Sequence, residues 1–138
     1  MVPALEEILA ATKSMVFFGG AGVSTESGIP DFSKTVYELH GSTLRNYCTR
    51  CGKFFPVQFI EDAAGVGDGV PRCDECGGIV KPDVVLYEEG LDADVLSGAI
   101  HAIQQADMLI IGGTSLVVYP AAGLINYYNG HKLVLINK

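Results

Sequence analysis

At 138 residues the chain is the length of one domain with room for a small insert, and 49% apolar against 18% charged residues is enough hydrophobic material to fold. A net charge of −7 repels a phosphate backbone, so direct nucleic-acid binding is not expected; it would suit a lysine-bearing partner, although acidity that only aids solubility is the commoner case. No apolar run approaches the roughly 20 residues that span a bilayer. The start, Met1-Val-Pro-Ala-Leu-Glu-Glu7, lacks a basic leader pattern, so the expectation is a cytoplasmic protein with no membrane partner.

In chain order, residues 3 to 13 place Leu5, Ile8, Leu9 and Thr12 at helical spacing, with Glu6 and Glu7 in the first turn where the helix dipole favours acids. Met15-Val-Phe-Phe18 is a short apolar run that leaves into Gly19-Gly20 and reads as a buried strand. The middle, from about Asn46 to Val80, is rich in glycine and cysteine and poor in periodic segments. Asp92 can cap a helix running to about Ala106, with Leu96, Ala99, Ile100 and Ile103 inward. Met108-Leu-Ile-Ile111 is a second buried strand, ending in Gly112-Gly113. Pro120 can open another helix that stops near Gly130, and Leu133-Val-Leu-Ile136 is a third strand. Alternating strands and helices with continuously apolar strands predict an α/β fold whose sheet is parallel and covered on both faces.

All four cysteines fall in two pairs, Cys48-Thr-Arg-Cys51 and Cys73-Asp-Glu-Cys76, and each pair is followed by a glycine, Gly52 or Gly77. A zinc knuckle needs such a residue, because backbone N–H groups must turn toward the sulfurs and that calls for permissive φ. Two knuckles give a closed four-thiolate site, structural rather than catalytic. Disulfides would fit an exported protein, and a redox pair would want one Cys-x-x-Cys at a strand-to-helix junction; neither suits this pattern as well as zinc.

After the first strand comes Gly20-Ala-Gly22-Val-Ser24-Thr25, a turn whose glycines let backbone approach a pyrophosphate. As a dinucleotide fingerprint it is weak, because Thr25 stands where the third glycine belongs. The longer run through Gly28-Ile29-Pro30-Asp31-Phe32, however, resembles the signature of the sirtuins, NAD-dependent protein-lysine deacylases, here of bacterial type. Glu38-Leu-His40-Gly-Ser42, Lys81-Pro-Asp-Val-Val85 and Gly113-Thr-Ser115-Leu also match, in order, and the cysteine pairs fall where the family carries them. The resemblance implies a Rossmann-like parallel sheet, 1–45 and 81–138, with a small four-cysteine zinc-ribbon insert at 46–80.

It also implies roles. NAD, the co-substrate, would lie against Gly20, Ala21, Gly22 and Ser24, with Gly113, Thr114, Ser115 and Asn137 as its second contact. Ile29 and Asp31 match the nicotinamide pocket, and Phe32 the aromatic that shields the reacting ribose carbon. His40 matches the catalytic base that takes a proton from a ribose hydroxyl, a transfer for which imidazole is suited. Val84, Val85 and Tyr87 match the wall where an acyl-lysine peptide adds as a strand. Many sirtuins carry Phe-Gly where this chain has Tyr87-Glu88. His101 and His131 lie outside every motif.

Three departures accompany the resemblance. Ser33 stands where the family has an arginine that helps hold NAD. Between there and the histidine, sirtuins carry a long segment ending in Gln-Asn-Ile-Asp, but here Phe32 runs to Leu39 through Ser33-Lys-Thr-Val-Tyr-Glu38. The chain also stops at Lys138, before the family's closing strand and helix. The expected sheet is therefore incomplete, with unpaired edges. Two functions follow as alternatives: a sirtuin-type deacylase giving nicotinamide and acyl-ADP-ribose, or a catalytically inactive zinc- and nucleotide-binding module derived from one.

Overall fold

The computed structural model describes residues 5–20 and 35–137. In chain order its elements are α1 (Leu5–Ala10), β1 (Met15–Gly19), β2 (Gly41–Cys48), β3 (Phe54–Pro56), α2 (Val57–Ala63), β4 (Val80–Val84), α3 (Ala93–Gln105), β5 (Met108–Gly112), a 3-10 helix (Ala121–Tyr127) and β6 (Lys132–Ile136). They fall into two compact units, one made of Met1–Tyr37 with Ala93–Lys138, the other of Glu38–Asp92.

The first unit holds a parallel sheet in the order β1-β5-β6, with Met15, Met108 and Lys132 in one register row and Gly19, Gly112 and Ile136 in another. The run Met-Leu-Ile-Ile sits in the middle and has no polar side chain to present to water on either face. Met108, Leu109 and Ile111 are accordingly buried. On α3, Ala99 and Ile103 are buried, whereas Leu96 and Ile100 are only half-buried. The expected cover on both faces holds for β5 and not for its neighbours: β1 and β6 are the edges of a three-stranded sheet, and Met15, Phe17, Leu133, Leu135 and Ile136 are exposed large apolar residues. Asp107 ties the sheet together at its start. Its carboxylate accepts the N–H groups of Lys13 (3.0 Å) and Ser14 (2.8 Å), which hold it down at about 2.

The expected helix after Pro120 is a seven-residue 3-10 helix instead. Pro120 supplies no side-chain cap, and Gly123 is the third of its seven residues, inside the element, where glycine disfavours an α-helix.

The second unit is an antiparallel sheet in the order β3-β2-β4. It has more regular structure than the cysteine-rich composition suggested, including the eight residues of β2 and the helix α2. Its core is small: Cys48, Phe55, Cys73 and Val80 are buried, with Phe59 and Ile60 packed against them. The Phe55 and Phe59 rings lie 4.4 Å apart between centroids.

Candidate functional site

The four cysteines meet. Their sulfurs all lie within 4.8 Å of one another, with Cys48 and Cys76 at 3.4 Å and Cys51 and Cys73 at 3.6 Å. A tetrahedron of thiolates bonded to zinc at about 2.3 Å has edges of roughly 3.8 Å, so the donors fit that ion. The two knuckles repeat one backbone pattern. The Cys48 N–H donates to the Lys53 carbonyl and the Gly52 N–H to the Cys48 carbonyl; the Cys73 N–H donates to Gly78 and the Gly77 N–H to Cys73. Gly52 and Gly77 both adopt positive φ, 74° and 70°, as the knuckle reading requires. The N–H groups of Cys51 and Arg50 hold the Cys48 thiol down at about 6, toward the thiolate that binds metal.

Three residues around this centre escaped the sequence reading. A Cβ on Gly78 would meet the Cys48 sulfur at 2.8 Å, so the close approach of the second knuckle depends on glycine there. Lys53, on the first knuckle, pairs with Asp74 (2.7 Å) and Glu75 (2.9 Å) on the second. Arg50 donates to the Cys76 carbonyl at 2.8 Å. Nothing in local spacing marks these pairings, since each joins residues more than twenty positions apart.

In the same unit, His40 occupies an exposed turn just before β2. Its carbonyl accepts the Val85 N–H at 3.0 Å, and Gly41 is the register partner of Val84. The expected base and two of the three expected peptide-wall residues thus lie at one end of the β2/β4 pair. Gly41 makes this possible: it adopts φ 74°, and a Cβ there would stand 1.8 Å from the Asp83 carbonyl oxygen. Tyr87 lies beyond the strand and is fully exposed. Glu88, where many sirtuins have glycine, adopts φ 70°. The turn carrying both is closed by the Glu89 N–H on the Leu86 carbonyl and by Lys81 on Glu89.

The candidate nucleotide residues belong to the other unit. Ala21, Gly22, Ser24, Ile29, Asp31 and Phe32 lie outside the described residues. Gly20, Gly113, Thr114, Ser115 and Asn137 all follow the carboxyl ends of the three parallel strands, the end where α/β sheets take ligands. A Cβ on Gly20 would fall 2.3 Å from the Gly113 carbonyl oxygen, so these two turns touch through bare backbone. The Asn137 amide donates to the Thr114 carbonyl at 3.1 Å, and the Gly113 N–H to the Ile136 carbonyl at 3.1 Å. The Thr114 hydroxyl is turned back onto its own loop, accepting the Leu116 N–H. Polar backbone and an amide side chain collect there beside glycines, a surface that suits a pyrophosphate and ribose.

The model of the Sir2 family matches residues 33–120. An NAD-dependent protein deacetylase of Clostridium acetobutylicum is 40% identical over 214 aligned positions, covering 97% of this chain and 86% of the relative; one of Clostridium perfringens is 43% identical over 215 positions with the same coverage. Because 214 positions are aligned to a chain of 138 residues, at least 76 of them (214 less 138) face no residue here. These relatives carry an internal segment that this chain lacks. Among solved structures, a Sir2 complex with a p53 peptide and NAD+ superposes with a TM-score of 0.80 at 28% identity, covering 96% of this chain and 84% of that one. A Sir2 protein bound to a propionylated peptide does so equally well, at 0.80 and 28%.

Proposed function

This chain belongs to the Sir2 family, and from that premise we propose that it removes acyl groups from protein lysines at the expense of NAD, leaving nicotinamide and acyl-ADP-ribose. The observation that carries the reading is the pairing of His40 with Val85 and of Gly41 with Val84, which sets an imidazole beside a strand an extended peptide can join. His40 is the general base; Val84, Val85 and Tyr87 form the peptide wall. Gly20, Ala21, Gly22, Ser24, Ile29, Asp31, Phe32, Gly113, Thr114, Ser115 and Asn137 hold NAD, which supplies the electrophilic ribose carbon. Cys48, Cys51, Cys73 and Cys76 hold a structural zinc ion. The unit of Met1–Tyr37 with Ala93–Lys138, which holds the parallel sheet, serves as the nucleotide domain, and the zinc module, 46–80, lies within Glu38–Asp92. Among the described residues no helix is long and apolar enough to cross a membrane, and four unpaired thiols suit a reducing cytoplasm.

The internal segment of at least 76 positions that the relatives possess favours the second reading, a zinc- and nucleotide-binding module without turnover. One experiment separates the two. The purified, zinc-loaded chain is offered an acetyl-lysine peptide with and without NAD, beside His40→Ala, and deacylation and nicotinamide release are followed by mass spectrometry. NAD-dependent loss of acetyl that disappears in the variant is the expected result. A folded, zinc-loaded chain that binds ADP-ribose yet releases no nicotinamide would leave the binding module standing.

A further inference from the structure

We propose that Arg45 is a positioning residue for His40: its guanidinium clamps the segment entering the His40 turn to the peptide-bearing strand. This rests on the deacylase reading for its meaning, though not for its test. Arg45 donates through Nη1 to Glu38, two residues ahead of His40, and through Nε to Asp83, one residue ahead of Val84, at 3.0 Å. One planar cation therefore joins the segment entering the turn to the strand that the turn must face. The backbone bonds Gly41 N–H to Glu38 carbonyl (2.9 Å) and Val85 N–H to His40 carbonyl (3.0 Å) close the same loop from the other side.

Its placement follows from an irregularity in β2. Ser42 pairs with Asp83 and Asn46 with Pro82, so Thr43, Leu44 and Arg45 have no partners of their own on β4. Such a bulge re-aims the side chains within it. Asn46, fully buried, fixes the bulge by directing its amide toward the carbonyls of Thr43 and Phe55, each at 3.4 Å. Pro82 has no N–H to offer across the gap, which removes a competing ladder bond.

The three charged side chains are between 32% and 46% exposed, so solvent screens them and their pairing adds little to global stability. Their effect is geometric. Arginine presents donors in a rigid fork that can hold two carboxylates in fixed relation, and lysine, a single point charge, cannot. Positioning without stabilisation is an unusual combination and is testable.

The test uses the full zinc-loaded chain with Arg45→Met, Arg45→Lys and Glu38→Gln, read by NMR. We expect Arg45→Met to keep its zinc and its unfolding temperature, to shift the His40 ring resonances, and to speed exchange of the Val85 amide by about tenfold or more. Arg45→Lys should recover only part of this, and Glu38→Gln should move the same signals in the same direction. None of these readouts needs turnover, so an inactive wild-type chain would end the deacylase reading while leaving the clamp decided on its own terms. Where the wild type does turn over, kcat should fall about tenfold in Arg45→Met with the peptide KM little changed. Unchanged His40 resonances and Val85 exchange in folded Arg45→Met would overturn the proposal. Loss of zinc or of the fold in that variant would overturn it as well, by making Arg45 structural.

Discussion

The two units of this molecule stay folded by different means. Glu38–Asp92 has a core of four buried residues, two of them cysteines, and compensates with a thiolate cluster and a lysine that bridges its two knuckles. The sheet-bearing unit has no such staple among the described residues and depends on burying one strand, β5, between two half-open neighbours. The contrast teaches where sequence change is tolerated. A region closed by a metal can carry bulges and positive-φ residues next to its chemistry. A region without a metal, held mainly by packing around one strand, is sensitive to every methylene at its centre.

The largest effect should come from breaking the staple. Cys73→Ser, or zinc removal by a chelator, should release the metal and erase amide protection along β2 and β4, because structural zinc is worth about 10–16 kcal/mol of apparent binding energy. Hydrogen exchange with a zinc assay checks this; protection that survives metal loss would break the comparison.

A smaller loss is expected from Leu109→Ala at the centre of the parallel sheet. Leu109 is 1% exposed, and such truncations cost about 2–5 kcal/mol. Denaturant unfolding should show the transition of β5 moving while zinc content does not. The smallest effect has the opposite sign. Glu88→Gly should raise the unfolding free energy by about 1 kcal/mol, read as a higher denaturation midpoint, since Glu88 is exposed and held at φ 70°, a conformation that strains any residue with a Cβ. A neutral or destabilising result would mean that the extra unfolded-state freedom of glycine offsets the relieved strain.

Much of the candidate site was legible because its signals are local. The zinc ligands sit in two Cys-x-x-Cys turns whose geometry is set within six residues, and His40 in a motif of five. The three apolar runs of the parallel sheet were equally readable as strands, although burial on both faces, which an unbroken hydrophobic string signals, holds for β5 and not for β1 and β6. The 3-10 helix was misread as an α-helix because Pro120 is a start signal for either, and Gly123 tips the balance only weakly.

By itself, then, the sequence determined the four-cysteine cluster, the three strands of the parallel sheet and the family, all written in short windows, while β2, β3 and β4 were not legible there. Only the tertiary structure decided that Arg45 reaches Glu38 and Asp83, that Lys53 bridges the knuckles, and that Asn137 closes on Thr114. Most of these contacts join residues that stand far apart along the chain, and even the Arg45–Glu38 pair is made across a turn and a bulge. No periodicity or propensity encodes such pairings; they exist because strand register and a bulge bring those side chains within hydrogen-bond reach.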